Sequence, residues 1–289
     1  MASAPTLGSH VSAAGGPHRA IERALKVGCD CLQIFTKNNN QWRAKPLEET
    51  AIEAWKRAWQ QAELRNPIAH ASYLINLASP KNDLYEKSIE ALAVEMDRAN
   101  QLQLEGLVVH PGAFTDSSEQ EGIDRIVDGV LQVLDHAQTG NCKLLLENTA
   151  GQGTCLGHRL PQLGEMLNRI DQPDSVGVCF DTCHAFAAGY DLRTAKGFKV
   201  LRQEIDDTFA PGTITAIHLN DSKKPLGSRV DRHEHIGRGE LGLGAFRRLF
   251  QDDLFRKLPG YLETEKGIDE ESEEEWDVIN LRALRQCCK

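Results

Sequence analysis

Seven short apolar runs in this chain end in a histidine, an aspartate or a glutamate, and these endings constrain its fold and chemistry more than any other feature. Their sequences and final residues are LGSH (His10), NPIAH (His70), GLVVH (His110), KLLLE (Glu147), VGVCFD (Asp181), ITAIH (His218) and GYLE (Glu263). If the runs are parallel strands, their carboxyl ends meet at one edge of one sheet. One such ending fits an ordinary buried residue, whereas seven predict a metal-dependent active site.

Apolar runs and helical patterns alternate along the whole chain. The predicted strands are these seven runs and an eighth, CLQIF, at 31–35. The predicted helices lie near 17–27, 49–64, 82–102, 119–138, 160–170, 194–206, 244–251 and 271–286. Strict alternation of eight strands with eight helices is typical of a (β/α)8 barrel, the TIM-barrel fold. We expect one such domain over residues 1–289, with the metal site at the carboxyl ends of its strands.

An open, doubly wound sheet is the competing architecture. It gathers its site at one switch point, which gives no reason for ligand-type residues on so many strands. Only the run that ends at Phe35 lacks such a residue. The longest segment without predicted regular structure is about 220–243, and a loop of that length in a compact domain is usually functional.

Composition is that of an ordinary globular protein, with 40% hydrophobic and 26% charged residues among 289. No apolar run approaches the ~18 residues of a membrane helix, and the N-terminus lacks the features of a secretion signal. We therefore expect no membrane partner and a cytoplasmic location. The net charge of −9 does not exclude a nucleic-acid partner, because bound divalent cations would reverse the local field.

The eight cysteines form no C-x-x-C zinc pair, and we expect them to be reduced thiols. Cys179 fits a buried strand as a small apolar side chain. Cys183 stands between Asp181 and His184 and is a candidate zinc ligand, although strand-end carboxylates and imidazoles already fill the site.

Three further ligand-type residues join the strand endings. His184 follows a strand by three residues, and Asp231 and His233 stand two apart, so that an extended segment points both to one side. Borderline metals such as zinc bind imidazole nitrogen and carboxylate oxygen together. Nine or ten such groups exceed what one four- or five-coordinate ion uses. We expect two or three metals with a bridging carboxylate, an arrangement that serves phosphate-ester cleavage.

Longer stretches of the chain closely resemble the endonuclease IV family of apurinic/apyrimidinic endonucleases. They are GSHVSAAGG (8–16), FTKN with QWR (35–43), SYLINLASP (72–80), HPGAF (110–114), ENTAGQG (147–153), GVCFDTCHAFAAGYDLRT (177–194), HLNDSK (218–223), GSRVDRHEHIGRG (227–239) and LET (262–264). The resemblance covers nearly the whole chain, and its central stretches are long and specific.

The resemblance implies a barrel with three zinc ions, and the sequence itself leaves manganese as an alternative at one or more sites. All nine metal-ligand positions of the family pattern carry the expected residue type here. The resemblance assigns His70 and His110 to one ion, Asp181, His218 and Glu263 to a second, Glu147 as the bridge between these two, and His184, Asp231 and His233 to the third. His10 is expected near the cluster rather than in it.

The resemblance also implies a reaction, the hydrolysis of the phosphodiester on the 5′ side of an abasic site in duplex DNA. The products are a 3′-hydroxyl and a 5′-deoxyribose phosphate, and related members also trim blocked 3′ ends. Glu147 and Glu263 are the expected catalytic residues, which orient the attacking water. The expected partner is damaged double-stranded DNA, and the expected acting form is a monomer.

Loop side chains are expected to enter the base stack at the lesion. Tyr73 and Leu74 match two such family positions and offer an aromatic face and an apolar wedge. A third position, an arginine in the family, is Asn40 here, and Ala71 stands where an aspartate is common. The basic residues expected to contact phosphates from the same face are Lys37, Arg43, Lys223, Lys224, Arg229 and Arg232.

Two other functions stay open on the residues alone. Related barrels that isomerise or epimerise sugars bind two divalent ions at the same strand ends, but they have no use for the further cluster of His184, Asp231 and His233. A damaged-DNA-binding protein with structural metals is the other alternative, and the complete ligand set favours an enzyme over it.

Overall fold

Eight parallel strands close into a barrel in a computed structural model that describes residues 5–136 and 140–288. The strands of the protein are β1 (Leu7–His10), β2 (Cys31–Ile34), β3 (Arg65–His70), β4 (Gly106–Val109), β5 (Lys143–Glu147), β6 (Val176–Asp181), β7 (Ile214–His218), β8 (Asp221–Ser222), β9 (His233–Glu234) and β10 (Gly260–Leu262). Around the barrel the order is β1-β10-β7-β6-β5-β4-β3-β2, so β8 and β9 lie outside it. The predicted (β/α)8 barrel is confirmed.

Helices cover the outside of the barrel. They are α1 (Pro17–Val27), α2 (Glu49–Gln61), α3 (Asn82–Gln101), α4 (Glu119–His136), α5 (Leu160–Ile170), α6 (Thr182–Ala188), α7 (Ala195–Thr208), α8 (Gly242–Gln251) and α9 (Trp276–Cys287). The last two residues of the helix predicted at 119–138, and both ends of the predicted domain, lie outside the described residues. Among the described residues, no helix combines the length and apolar character that crossing a membrane requires.

The side chains that fill the barrel interior and those of the candidate site lie on the same face of the same strands. One interior layer consists of Cys31, Ile68, Val108, Leu145, Cys179, Ala216 and Tyr261. Gly8 takes this place on β1, where a Cβ atom would lie 1.8 Å from the Cys31 carbonyl oxygen. Successive side chains of a strand point to opposite faces, so the residue two positions later points inward again. These residues are His10, Gln33, His70, His110, Glu147, Asp181, His218 and Glu263.

The short helix α6 corrects the prediction of eight helices, because nine α-helices lie within the described ranges. It begins immediately after β6, where the Asp181 carboxylate accepts a hydrogen bond from the His184 backbone N–H at 2.6 Å. It ends seven residues later at Gly189, whose φ of 117° favours glycine. A helix of only two turns that directly follows a strand is too short to show its own helical periodicity in the sequence.

Two other predictions also need correction. The segment 220–243 contains the antiparallel pair β8 and β9, in which Ser222 lies opposite His233. The last helix begins at Trp276 rather than at 271, because Asp269 accepts hydrogen bonds from Ser272 and forms a turn there. Both features depend on polar side chains that bond to backbone, which apolar periodicity does not report.

Asp221 organises the loop that carries β9. Its carboxylate is fully buried and accepts backbone hydrogen bonds from Ser222 (2.8 Å), Gly237 (2.9 Å), Leu241 (2.9 Å) and Gly242 (3.2 Å). This one side chain therefore folds 237–242 back against β8.

Asp221→Ala is expected to lower the free energy of unfolding by about 2–4 kcal/mol, because it leaves several buried N–H groups without an acceptor. Urea unfolding measures the change. The matched control is Asp253→Ala, whose side chain is 82% exposed. Equal midpoints for the two variants would contradict this role for Asp221.

Candidate metal centre

Imidazole and carboxylate groups converge at the carboxyl end of the barrel. Glu147, Asp181 and His218 are 0% exposed, His70 is 1% exposed, and His184 on α6 is 2% exposed. Carboxylates that are removed from water this fully need cationic or hydrogen-bonding partners. The partners here are imidazoles for Glu147, and the His184 backbone N–H and the Asn220 amide for Asp181.

Glu147 is at the centre of the group. One carboxylate oxygen, Oε2, lies 3.2 Å from His70 Nε2 and 3.1 Å from His110 Nε2. The other, Oε1, lies 2.8 Å from His218 Nδ1 and 3.2 Å from His184 Nδ1. A carboxylate that reaches different imidazoles through its two oxygens has the geometry of a bridging ligand.

The ligand atoms fall into three groups, and within each group they all lie within 4.8 Å of one another. The groups are His70 with His110 and Glu147; Glu147 with Asp181, His218 and Glu263; and His184 with Asp231 and His233. These are the three sets that the family resemblance implies, and Glu147 is the member that two of them share. The structure therefore brings all nine predicted ligand positions together.

The hydrogen bonds of two histidines determine which ring nitrogen carries the proton when each ring is neutral. His218 Nε2 lies 2.9 Å from Gln33 Oε1, to which it donates. His70 Nδ1 donates to the Ala71 carbonyl oxygen at 2.7 Å. In the neutral tautomers that these partners assign, His218 Nδ1 and His70 Nε2 aim lone pairs at Glu147 oxygens. Two lone pairs at this distance repel unless a proton or a cation lies between them.

The third group follows the same pattern. His184 Nδ1 donates to the Asn148 carbonyl oxygen at 2.9 Å, and His233 Nδ1 donates to the Glu263 carbonyl oxygen at 3.3 Å. Their Nε2 atoms then face each other at 3.4 Å, and both lie within 3.3 Å of Asp231 carboxylate oxygens. Second contacts of this kind orient histidines that bind metals.

Protons and metal ions compete for these nitrogens. Burial alone lowers the pKa of His184, but Asp181 and Asp231 outweigh it and hold this pKa well above its ordinary value. Burial raises the pKa of Glu147, but His218 and His110 outweigh it and hold this pKa well below its ordinary value. The Glu147 carboxylate is thus ionised and needs positive charge, and imidazole with carboxylate is the donor set that divalent transition metals prefer. The residues present fit the metals that the family implies.

Gln33 belongs to this centre, although it is not one of the predicted site residues. It is fully buried, and its Nε2 donates to Glu263 Oε1 at 2.6 Å and to His10 Nδ1 at 2.9 Å, while its Oε1 accepts from His218. Burial lowers the pKa of His10, so this ring is neutral and can accept. The sequence signal that could have identified Gln33 is its polar side chain inside the apolar run CLQIF.

Asn220 holds two further members of the centre. Its Nδ2 donates to Asp181 Oδ2 at 2.7 Å, and its Oδ1 accepts from the Glu263 backbone N–H at 2.8 Å. It therefore fixes one carboxylate on β6 relative to the end of β10.

A cavity of about 450 Å³ opens directly above the third group. Tyr73, His110, Lys223, Arg232 and Glu263 line it together with that group. A ligand in this cavity would touch both the histidines and the basic rim.

Comparisons with known proteins agree with this fold. The model of the xylose isomerase-like TIM-barrel family matches residues 21–287. A "probable endonuclease 4" from Geobacter sulfurreducens is 45% identical over 280 residues, which cover 97% of this chain and 93% of that protein. The crystal structure of endonuclease IV from Thermus thermophilus matches with a TM-score of 0.85 and 36% identity over 98% of both chains. The chain belongs to the endonuclease IV family.

Another solved structure shares only the fold with this endonuclease IV chain. A D-tagatose 3-epimerase-like protein matches with a TM-score of 0.72 over 97% of this chain and 96% of that chain, at 18% identity.

Cys183 lies next to the candidate ligands. Its sulfur forms one further close group with Asp181 and His233. Burial raises the pKa of the thiol to about 12, and the thiol donates to the Arg232 carbonyl oxygen at 3.7 Å. A protonated thiol is a poor ligand, so the carboxylates and imidazoles are the stronger candidates. None of the eight cysteines forms a disulfide.

Three of the residues expected to contact DNA line this cavity, namely Tyr73, Lys223 and Arg232. Tyr73 is 56% exposed, and its ring centroid lies 5.0 Å from that of His70 and 5.8 Å from that of His110. Leu74 is half-buried beside it, and Asn40 is exposed. The basic residues with surface exposure are Arg43, Lys223, Lys224, Arg229 and Arg232.

Lys37 differs from these basic residues in its burial. Its side chain is 3% exposed, and its ammonium group lies 3.2 Å from Glu95 Oε1 on α3. The sequence does not show that α3 places a carboxylate beside this lysine.

Removal of bound metal is expected to lower the Tm more at about pH 8 than at about pH 6. In the metal-free protein, protons on His184 and His218 stabilise the fold fully below the ordinary histidine pKa of about 6.5. This contribution is lost as the pH rises through their raised pKa values, where metal ions replace the protons.

Thermal unfolding with and without a chelator across this pH range measures the difference, and a metal-refilled sample is the control. A Tm gap that stays constant or shrinks with rising pH would contradict the assignment.

Proposed function

We propose that this protein is a metal-dependent DNA-repair endonuclease that cleaves duplex DNA on the 5′ side of abasic sites. The observation that carries the proposal is the set of three ligand groups around Glu147 beneath an open cavity with a basic rim. The names of the endonuclease 4 relatives support the same reaction. The products are a 3′-hydroxyl and a 5′-deoxyribose phosphate, and blocked 3′ ends are second substrates.

Three zinc ions are the proposed cofactors, with manganese as the alternative at one or more positions. One ion would be held by His70, His110 and Glu147, the next by Glu147, Asp181, His218 and Glu263, and the third by His184, Asp231 and His233. When bound, divalent ions of this kind lower the pKa of water and offset negative charge on phosphate oxygens.

The two proposed catalytic carboxylates have different environments. Glu147 has no exposed surface, so its role is to hold the centre together. The Glu263 side chain is 8% exposed and lines the cavity, which allows it to orient a water molecule and accept its proton. Gln33 holds Oε1 of Glu263 in place. A fixed carboxylate at the reacting position is the usual arrangement for a general base.

The rim provides the proposed contacts to DNA. Arg43, Arg229 and Arg232 reach the surface and suit phosphates, although the whole chain has a net charge of −9. Tyr73 and Leu74 would enter the stack at the lesion, and Asn40 would line the same gap with an uncharged amide. The single domain over 1–289, the monomeric state and the cytoplasmic location stay predictions.

Cleavage of a labelled duplex with one abasic-site analogue tests the proposal. We expect a nick on the 5′ side that is lost on chelation and restored by zinc, and no cut in the matched undamaged duplex. An intact lesion duplex after incubation with fully metallated protein would refute the proposed substrate.

Glu263→Gln is expected to lower kcat on this duplex by about 100-fold or more, because the amide cannot accept a proton. Glu265→Gln is the matched control, since Glu265 also lines the cavity but its side chain is 77% exposed. Thermal unfolding checks that both variants fold. Wild-type rates in Glu263→Gln would rule out this residue as the base.

Tyr73→Ala is expected to raise KM for the abasic duplex and to leave hydrolysis of an already exposed 3′-phosphate unchanged. The ring is needed to enter the stack but not to cleave an accessible ester. Tyr73→Phe keeps the ring and serves as the control. Equal losses on both substrates would show that Tyr73 supports the metal centre instead.

A further inference from the structure

Two loops at the rim carry the residues proposed to meet the lesion. Asn40 lies in the loop that joins β2 to α2 (35–48), and Tyr73 and Leu74 lie in the loop that joins β3 to α3 (71–81). Both loops are attached to the same buried point on α3. This attachment lies outside the metal centre and involves none of its ligands.

Lys37 and Glu95 form the core of the attachment. Glu95 is 1% exposed and faces the Lys37 ammonium group at 3.2 Å, and this lysine also donates to the Gln41 carbonyl oxygen at 2.6 Å. The other Glu95 oxygen, Oε2, is buried without a hydrogen-bond partner. A buried ion pair with one unsatisfied oxygen is a weak source of stability, so its geometry is the more informative feature.

The same carboxylate holds the second loop. Glu95 Oε1 accepts a hydrogen bond from the Ser72 backbone N–H at 3.1 Å. The Ser72 hydroxyl in turn donates to the Asn39 carbonyl oxygen at 2.6 Å and accepts from the Leu74 N–H at 3.3 Å. Through Ser72, Glu95 is therefore connected to Leu74 in the second loop and to Asn39 in the first.

Arg98, one turn further along α3, fixes the two ends of the first loop. Its guanidinium group donates to the Thr36 carbonyl oxygen, at 3.0 Å from Nε, and to the Lys45 carbonyl oxygen at 2.7 Å. Residues 36–45 are thus held at both ends and, through Lys37, in the middle.

We propose that Lys37 and Glu95 are positioning residues that set the two lesion-recognition loops at a fixed separation, and that Lys37 is not a phosphate contact. This inference rests on the proposed function, because it concerns how the same site selects a lesion in duplex DNA. Loss of the pair leaves the metal centre in place and lets Asn40 and Tyr73 move apart.

The test compares Lys37→Met and Glu95→Gln, with Lys56→Met on the exposed side of α2 as a control for loss of one positive charge. Three quantities are measured: kcat and KM on the abasic duplex at several salt concentrations, hydrolysis of bis(p-nitrophenyl) phosphate, and hydrogen exchange of 36–45 and 71–74. The small ester needs only the metal centre, whereas the duplex needs the loops.

Positioning predicts that both variants raise KM for the abasic duplex by about tenfold or more. It also predicts unchanged turnover of the small ester, an unchanged salt dependence, and faster exchange in both loops. If a single variant does not fold, Lys37→Met/Glu95→Leu removes both charges and is expected to fold with the same raised KM and faster exchange.

Three outcomes would overturn the inference. In the first, Lys37→Met weakens duplex cleavage while Glu95→Gln does not, and the slope of log affinity against log salt concentration becomes shallower by about 0.9. That result would identify Lys37 as a phosphate contact. Parallel loss of small-ester hydrolysis in both variants would identify a general structural role. Unchanged KM and unchanged exchange would show that the loops do not depend on the pair.

Failure of the proposed function is a separate outcome. If the wild-type protein does not cleave the abasic duplex, the proposed function fails, and hydrogen exchange in the loops still decides whether the pair positions them.

Discussion

The burial of the Glu147 carboxylate among four imidazoles is the interaction on which the rest of the centre depends. Its two oxygens reach histidines from β3, β7 and α6 and from the end of β4, so one side chain links elements from opposite sides of the barrel. A carboxylate at 0% exposure that faces imidazole nitrogens on all sides needs positive charge between itself and those nitrogens. Protons or metal ions provide that charge, and this requirement couples the fold to its cofactor.

The closed barrel makes this convergence achievable. Every strand contributes an inward residue to the interior layer and a second inward residue two positions later. The third ligand group differs, because Asp231 and His233 come from the long loop and not from the barrel strands. The buried Asp221 carboxylate folds that loop, and α6 brings His184 to meet it. A barrel without α6 and this loop would keep only the two ligand groups that share Glu147. The sugar-isomerase alternative requires only those two groups.

The strand-end residues were predictable because short apolar runs that alternate with helical patterns directly indicate the strands of a barrel. Gln33 was missed because an amide that orients ligands is not itself a ligand type. The β8–β9 pair and α6 depend on side-chain bonds to backbone, which apolar periodicity does not encode. The burial of Lys37 was not predictable, because Glu95 is distant in sequence and only the tertiary fold brings the two together.

Anomalous diffraction at the zinc edge from crystals of the metallated protein tests the central claim most directly. We expect three peaks, two of them on either side of the Glu147 carboxylate and one among His184, Asp231 and His233. Peaks confined to other parts of the surface, or a Glu147 carboxylate still bonded only to protonated histidines in metal-saturated crystals, would contradict it.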